Sequence, residues 1–285
     1  MFVPGSASQS LAAALAAETD RPLATPEYRW FPDGEECAAV PGFSGDDAVV
    51  VAATTSNDAF VELLQLQDAV REAGADDVTA VLPYMGYARQ DRAFEHGEPV
   101  SARAVARAVS TGADRVVLVN PHEPGVADFF DCPVDVVDAA SRLAAPLPGD
   151  LTEPLFLGPD ESAESLARTV RDAYGAGDTD FFEKERDYDT GEVSVKPSDA
   201  DVAGRDVVVV DDIVATGSTV SEAVEALHDR DCGRVFAACV HGMLVGNART
   251  KLAAAGVERV VATDTVEREE SDVSVAPALA DALDG

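Results

Sequence analysis

Short apolar runs recur along the chain and alternate with longer amphipathic stretches. The runs Ala48–Ala53, Val78–Leu82, Arg115–Val119, Leu155–Leu157, Asp206–Val210, Val235–Val240 and Arg259–Ala262 are rich in β-branched residues and read as strands. Several are apolar without a break, the pattern of parallel strands covered on both faces. The stretch Asn57–Ala73 reads as a helix: Ser56 caps it, Phe60, Leu63, Leu64 and Val70 form a stripe, and Gly74 stops it. Strand–helix–strand alternation of this kind predicts an α/β fold with doubly wound, mainly parallel sheets.

The pattern also repeats. AVREAGADDV leads into Thr79–Leu82, and EALHDRDCGRV leads into Phe236–Val240; STGADRVVLV and AAAGVERVVA echo one another within the two halves. Two similar domains follow, 1–145 and 146–285, joined near the Ala/Pro-rich segment Ala144–Asp150. In such sheets ligands bind at the carboxyl ends of strands. The polar segments PYMGYARQD, NPHE, GPDE, DDIVATGST and HG all fall there, and ordinary strand-end turns explain one or two of them, not five.

Charge narrows the partners. Lys+Arg number 21 against 53 Asp+Glu, a net of −32, and only Lys184, Lys196 and Lys251 are lysines. Such a surface repels nucleic acid and anionic membranes, so neither is expected as a partner. The acids are spread along the whole chain, which fits a salt-rich cytoplasm where a Debye length of about 3 Å at 1 M screens the repulsion. The four cysteines have no metal-ligand spacing, Cys239 reads as a buried small hydrophobe, and neither a signal peptide nor a run long enough to span a bilayer is visible. A cytoplasmic protein is expected.

The strongest chemical signal is VVVVDDIVATGST, Val207–Thr219. Four valines make a strand, Asp211 and Asp212 are read as opening a turn, and Thr216, Gly217, Ser218 and Thr219 lead into a helix. Hydroxyls and backbone N–H groups at a helix start cradle an anion, and glycine admits a phosphate close to the backbone. Paired carboxylates beside that cradle suit a vicinal diol, so the combination suits ribose 5-phosphate. Arg89, Gln90 and Arg92 offer donors for polyphosphate and adenine edges. No GxxxxGK[ST] occurs, so any nucleotide is bound without a Walker loop. Lys184 and Arg186, two apart in an extended segment closed by an Asp-Thr-Gly turn, can clamp charge developing on a transferring phosphoryl group.

The segment strand-DDIVATGST resembles the phosphoribosyl-diphosphate loop of the type I phosphoribosyltransferase fold. Together with FPDGEE, LPYMGYARQDRAF, VNPHEPGVADFFD and FFEKERDYDTGEVSVKP, it is similar to ribose-phosphate pyrophosphokinases, particularly their archaeal branch, over nearly the whole chain. The resemblance implies two tandem domains of that fold with a β-hairpin flap, and transfer of the diphosphoryl group of Mg–ATP to ribose 5-phosphate. It implies that Phe31, Asp33, Gly34, Glu35, Arg89 and Gln90 contact ATP, the first four reaching a nucleotide held mainly by a neighbouring subunit, so that the protein is at least a dimer. It further implies that Ala215, Thr216, Gly217, Ser218, Thr219, Asp211, Asp212 and Arg186 hold ribose 5-phosphate, that His122 and Asp160 are linked to Mg²⁺, and that Lys184 and Arg186 are catalytic.

One departure stands out. The family commonly has glycine two positions after the acid at 160, where this chain has Ser162, preceded by Glu161. A serine fits if its φ is negative, and its hydroxyl adds a donor. Two other readings stay open: a base phosphoribosyltransferase sharing the DDIVATGST loop, and a non-catalytic homologue that keeps only the binding function.

Overall fold

The computed structural model of the chain describes residues 1–186, 193–197 and 200–284. The chain divides into two compact units: Met1–Asp138 with Asp264–Glu267 and Ser274–Gly285, and Ala139–Thr263 with Arg268–Val273. The last residues, grouped by sequence with the second half, therefore return to the first unit.

The first unit contains β1 (Phe2–Pro4), α1 (Gln9–Thr19), β2 (Glu27–Trp30), β3 (Glu36–Ala39), β4 (Asp47–Val51), α2 (Asn57–Glu72), β5 (Asp77–Leu82), α3 (Ser101–Ser110), β6 (Arg115–Val119) and β7 (Val134–Val137). Its sheet is five-stranded and parallel in the order β1-β4-β5-β6-β7, while β2 and β3 form a separate antiparallel hairpin. The helix α2 starts as the sequence predicts, with Ser56 Oγ accepting from Ala59 N at 3.1 Å. It ends at Glu72 before Gly74, whose φ of +107° suits glycine. Leu63, Leu66 and Val70 are fully buried.

The second unit contains β8 (Leu155–Gly158), α4 (Glu164–Tyr174), β9 (Asp178–Arg186), β10 (Val193–Pro197), β11 (Val207–Ile213), α5 (Ser218–His228), β12 (Val235–His241), α6 (Ala248–Ala255), β13 (Val257–Thr263) and β14 (Ser271–Val273); α7 (Ala276–Asp284) then joins the first unit. Seven strands run β10-β9-β8-β11-β12-β13-β14, all parallel except β10 against β9. The flap expected from Phe181–Pro197 is this antiparallel pair; its Asp-Thr-Gly turn lies outside the described residues. Every residue of β12 is buried, the apolar run Val235–Val240 as its pattern requires and His241 at the end with it.

At the amino-terminal edge of this sheet, Asp206 ties three strands together. Only 4% exposed, it accepts from Thr152 N at 2.8 Å, Arg234 N at 2.8 Å and Arg234 Nη2 at 2.7 Å. Burial alone would raise its pKa, but the bonds from Arg234 and Thr152 outweigh burial and hold the carboxyl below its ordinary range. Replacing Asp206 with alanine strands these donors and is expected to cost about 3 kcal/mol in urea unfolding at high KCl. Because the folded pKa is depressed, the wild-type advantage should be full above the ordinary carboxylate range and fade as pH falls below it. A loss under about 0.5 kcal/mol at neutral pH would show that the network is not structural.

Candidate functional site

The carboxyl edge of the second sheet gathers most of the chemistry. The sequence reading opened a turn at Asp211; instead Asp211 and Asp212 stay in β11, where Asp211 pairs with Cys239 and Ile213 with His241. The reason is that β12 runs on through His241 and offers pairing partners past Val210. Asp211 Oδ1 accepts from Asp212 N at 2.9 Å, and Asp212 Oδ1 accepts from Ile213 N at 2.8 Å. Burial first, and then the charge of Asp212, push the Asp211 carboxyl up to about 8. The charge of Asp160 adds to this from the end of neighbouring β8.

Beyond the acids, Val214 N donates to His241 O and Val245 N to Ala215 O, pinning the loop. Gly217 caps α5 with φ +72°. A Cβ there would meet Leu252 Cγ at 3.1 Å as well as strain the backbone, so glycine is required twice over. Among the described residues no protein group accepts from the N–H groups of Ser218, Thr219 or Val220. Thr216 Oγ1 lies 3.3 Å from Ser218 Oγ. Free N–H groups, the positive end of the helix dipole and clustered hydroxyls form an anion cradle.

Asp160 follows β8 and caps the short 3₁₀ turn Glu161–Ala163. Ser162 does not have a positive φ, so the serine fits. Its Oγ donates to Asp160 Oδ1 at 2.5 Å and its N–H reaches the same oxygen at 3.1 Å. The extra hydroxyl therefore holds the carboxylate in place, a role that its sequence position did not reveal. Lys184 and Arg186 lie on β9, which pairs parallel with β8 up to Gly158–Phe181 and continues past it. No motif singled out Lys251, yet its Nζ donates to Ser218 Oγ at 2.8 Å.

The first unit carries the remaining positions. His122 is exposed just after β6. Arg89 is exposed after β5, and Gln90 is partly buried, with Ser101 Oγ donating to its Oε1 at 2.5 Å. Arg92 stacks on Phe94, 5.2 Å from the ring centre. Phe31–Glu35 form the tip of the β2–β3 hairpin: Phe31 N donates to Glu35 O at 2.7 Å, Glu35 N to Asp33 Oδ1 at 3.2 Å, and Gly34 takes φ +91°. The side chains at that tip face solvent, with Trp30 68% and Phe31 48% exposed. Among the described residues no hydrogen bond or ion pair joins this tip to Arg89 or Gln90.

Among the described residues no three His, Cys, Asp or Glu side chains form a closed metal cage. The carboxylate of Asp160, fixed by Ser162, suits a hard cation that keeps waters and shares substrate phosphates. No helix among the described residues is long and apolar enough to cross a membrane.

Comparison with known proteins agrees with this layout. Residues 1–112 match the N-terminal domain of ribose phosphate pyrophosphokinase, and residues 134–278 match the phosphoribosyl transferase domain. The chain is 61% identical over 284 residues to the ribose-phosphate pyrophosphokinase of Halobacterium salinarum, covering 99% of this chain and 100% of that one. It is 45% identical over 274 residues to the enzyme of Methanopyrus kandleri, covering 95% and 94%. The crystal structure of phosphoribosylpyrophosphate synthetase from Mycobacterium smegmatis superposes with a TM-score of 0.85 at 30% identity, covering 100% of this chain and 97% of that one.

Proposed function

Because the chain belongs to the ribose-phosphate pyrophosphokinase family, we propose how its own residues carry out the family reaction. That reaction converts ATP and ribose 5-phosphate to 5-phospho-α-D-ribose 1-diphosphate and AMP. The 1-hydroxyl oxygen attacks the β-phosphorus, the bond from that phosphorus to the oxygen shared with the α-phosphate breaks, and the hydroxyl proton is released. No covalent bond to the protein is needed.

The second domain holds the sugar. Ala215, Thr216, Gly217, Ser218 and Thr219 take the 5-phosphate on the open end of α5, while Asp211 and Asp212 accept from the ribose hydroxyls. A charged carboxylate accepts more strongly than a protonated one, so sugar binding favours loss of the proton from Asp211. Arg186 adds a contact to the sugar phosphate. Lys184 and Arg186 stabilise the charge that moves onto the transferring group, which is electrostatic work of the kind positioned cations do best. Mg²⁺, when bound with ATP, would neutralise the diphosphate; Asp160, held by Ser162, and His122 are the groups to hold it, with water completing the shell.

The first domain holds the nucleotide through Arg89 and Gln90. Phe31, Asp33, Gly34 and Glu35 serve an ATP held by a second copy of the chain, which makes the protein at least a dimer. The exposed hairpin tip, unbonded to the Arg89–Gln90 segment, supports this arrangement. A cytoplasmic setting fits the acidic, salt-adapted surface.

The observation that carries the assignment is the joint placement of Asp160, Asp211, Asp212 and the start of α5, which has no side-chain cap, at one sheet edge. The test is AMP release from ATP and ribose 5-phosphate in high KCl. Release should require both substrates and Mg²⁺. A base phosphoribosyltransferase would instead consume the diphosphate product with a base, and a non-catalytic homologue would release no AMP.

A further inference from the structure

Two of the three lysines, Lys184 and Lys196, belong to the flap pair. The third, Lys251, lies on α6 and reaches the phosphate cradle, where its Nζ donates to Ser218 Oγ at 2.8 Å. An ammonium has three donors and no acceptor, so the serine oxygen must accept from it. The serine proton is thereby turned away from Lys251 and towards another acceptor.

The approach is fixed by packing. Leu244 N donates to Val214 O and Val245 N to Ala215 O, binding the segment before α6 to the loop before α5. Leu252, next to Lys251, sits against Gly217 so closely that a Cβ on the glycine would come within 3.1 Å of it. The lysine stem therefore enters the cradle from a braced helix.

Among the described residues its charge is unpaired at the cradle. The chain carries 53 acids, and Arg21, Arg71, Arg115, Arg168, Arg205 and Arg259 each hold a carboxylate within salt-bridge range. On α6 itself, Arg249 takes both oxygens of Glu270, at 2.5 and 2.8 Å. Among the described residues Lys251 has no carboxylate partner at all. A cation left without an acid in a chain of net charge −32, and tied to a hydroxyl of an anion cradle, is matched to an anion from outside. The need for it is plain: Asp160, Asp211 and Asp212 stand at the same sheet edge and repel a phosphate dianion, which neutral N–H and O–H groups alone offset only in part.

We infer that Lys251 is a binding residue for the 5-phosphate of ribose 5-phosphate, contributing the one full positive charge that α6 brings to the Thr216–Thr219 cradle while orienting Ser218 as a donor. A lysine suits the task because its three donors can reach Ser218 and phosphate oxygens together. The inference rests on the assignment of this cradle to the sugar phosphate.

The test compares Lys251→Met, Lys251→Gln and Lys251→Arg with an Asp212→Asn control in high KCl. KM is measured for each substrate, and calorimetry follows ribose 5-phosphate binding alone. Losing a charged hydrogen bond should raise both KM and Kd for ribose 5-phosphate about 10- to 100-fold in the Met and Gln variants, with kcat at saturation and KM for ATP within about threefold of wild type. Arginine should recover most of the loss. Wild-type KM and Kd in both neutral variants, with Asp212→Asn weakened, would overturn the role of Lys251 and leave the site standing. A fall in kcat with KM unchanged would also overturn it, as a packing role. Normal binding in all variants, the control included, would instead overturn the assignment of the cradle itself.

Discussion

Replacing Lys184 with alanine is expected to lower kcat by about 100-fold or more, because the charge it opposes develops on the transferring diphosphoryl group and is greatest in the transition state. Binding of ribose 5-phosphate, followed by calorimetry without ATP, should change little, since the proposed sugar site lies on β11 and the start of α5. Lys184 stands on β9, in register with Val195 of β10 and apart from both β11 and the start of α5 in the chain. Because Arg186 remains in the variant, the loss should be partial, and removing both cations should cost more than removing either. Lys184→Arg keeps the charge but spreads it over a wider planar group, so it should fall between wild type and alanine. Turnover unchanged in Lys184→Ala would take this residue out of the mechanism.

Much of the second site was legible because its chemistry is local in sequence. The Val207–Thr219 segment holds its strand, acids, glycine and hydroxyls consecutively, and periodicity alone orders them into strand, turn and helix. The one misreading, a turn opening at Asp211, came from treating charge as a strand breaker; pairing with the long, buried β12 overrode it. Groups that act through distant partners stayed hidden. Glu62 and Gln67 look like the polar face of an amphipathic helix. In fact both are buried, with Ser6 N donating to Glu62 Oε1 at 2.6 Å and Gln67 Nε2 donating to Val109 O at 3.2 Å. Asp206 looks like a solvated strand start but bonds residues 54 and 28 positions away. Lys251 is 33 residues from the serine it serves. The return of 274–285 to the first unit was equally unreadable, since Arg115 Nη2 must cross 167 residues to find Ala282 O at 2.8 Å. Pairings of that span leave no periodic trace in the chain.

Replacing Asp211 with asparagine should make the ligand-free protein more stable and the enzyme nearly inactive. In the wild type, burial and the neighbouring Asp212 charge lift the Asp211 carboxyl from the usual 3.8 to about 8. Between those values the folded chain keeps a proton that the unfolded chain releases, so raising pH favours the unfolded state. The cost of the native carboxyl is thus absent below about pH 4, grows through the window and is complete above about pH 8. Asparagine cannot ionise. Its advantage in urea unfolding should therefore be near zero at the acid end and reach about 1–3 kcal/mol at pH 8, the full shift being discounted for the solvent that still reaches this edge. On the proposed placement ribose 5-phosphate reverses the preference, because its hydroxyls donate and a charged carboxylate accepts more strongly than a protonated acid or an amide. Wild-type affinity should rise with pH up to about 8 with release of a proton on binding, whereas the variant should bind weakly and without that pH dependence. A charged pair kept at the expense of the empty protein's stability is what a binding site requires and a structural role does not. If Asp211→Asn unfolds at the same urea concentration as wild type across pH 5–8, the carboxyl is not under strain in the empty site, and its position beside Asp212 needs another explanation.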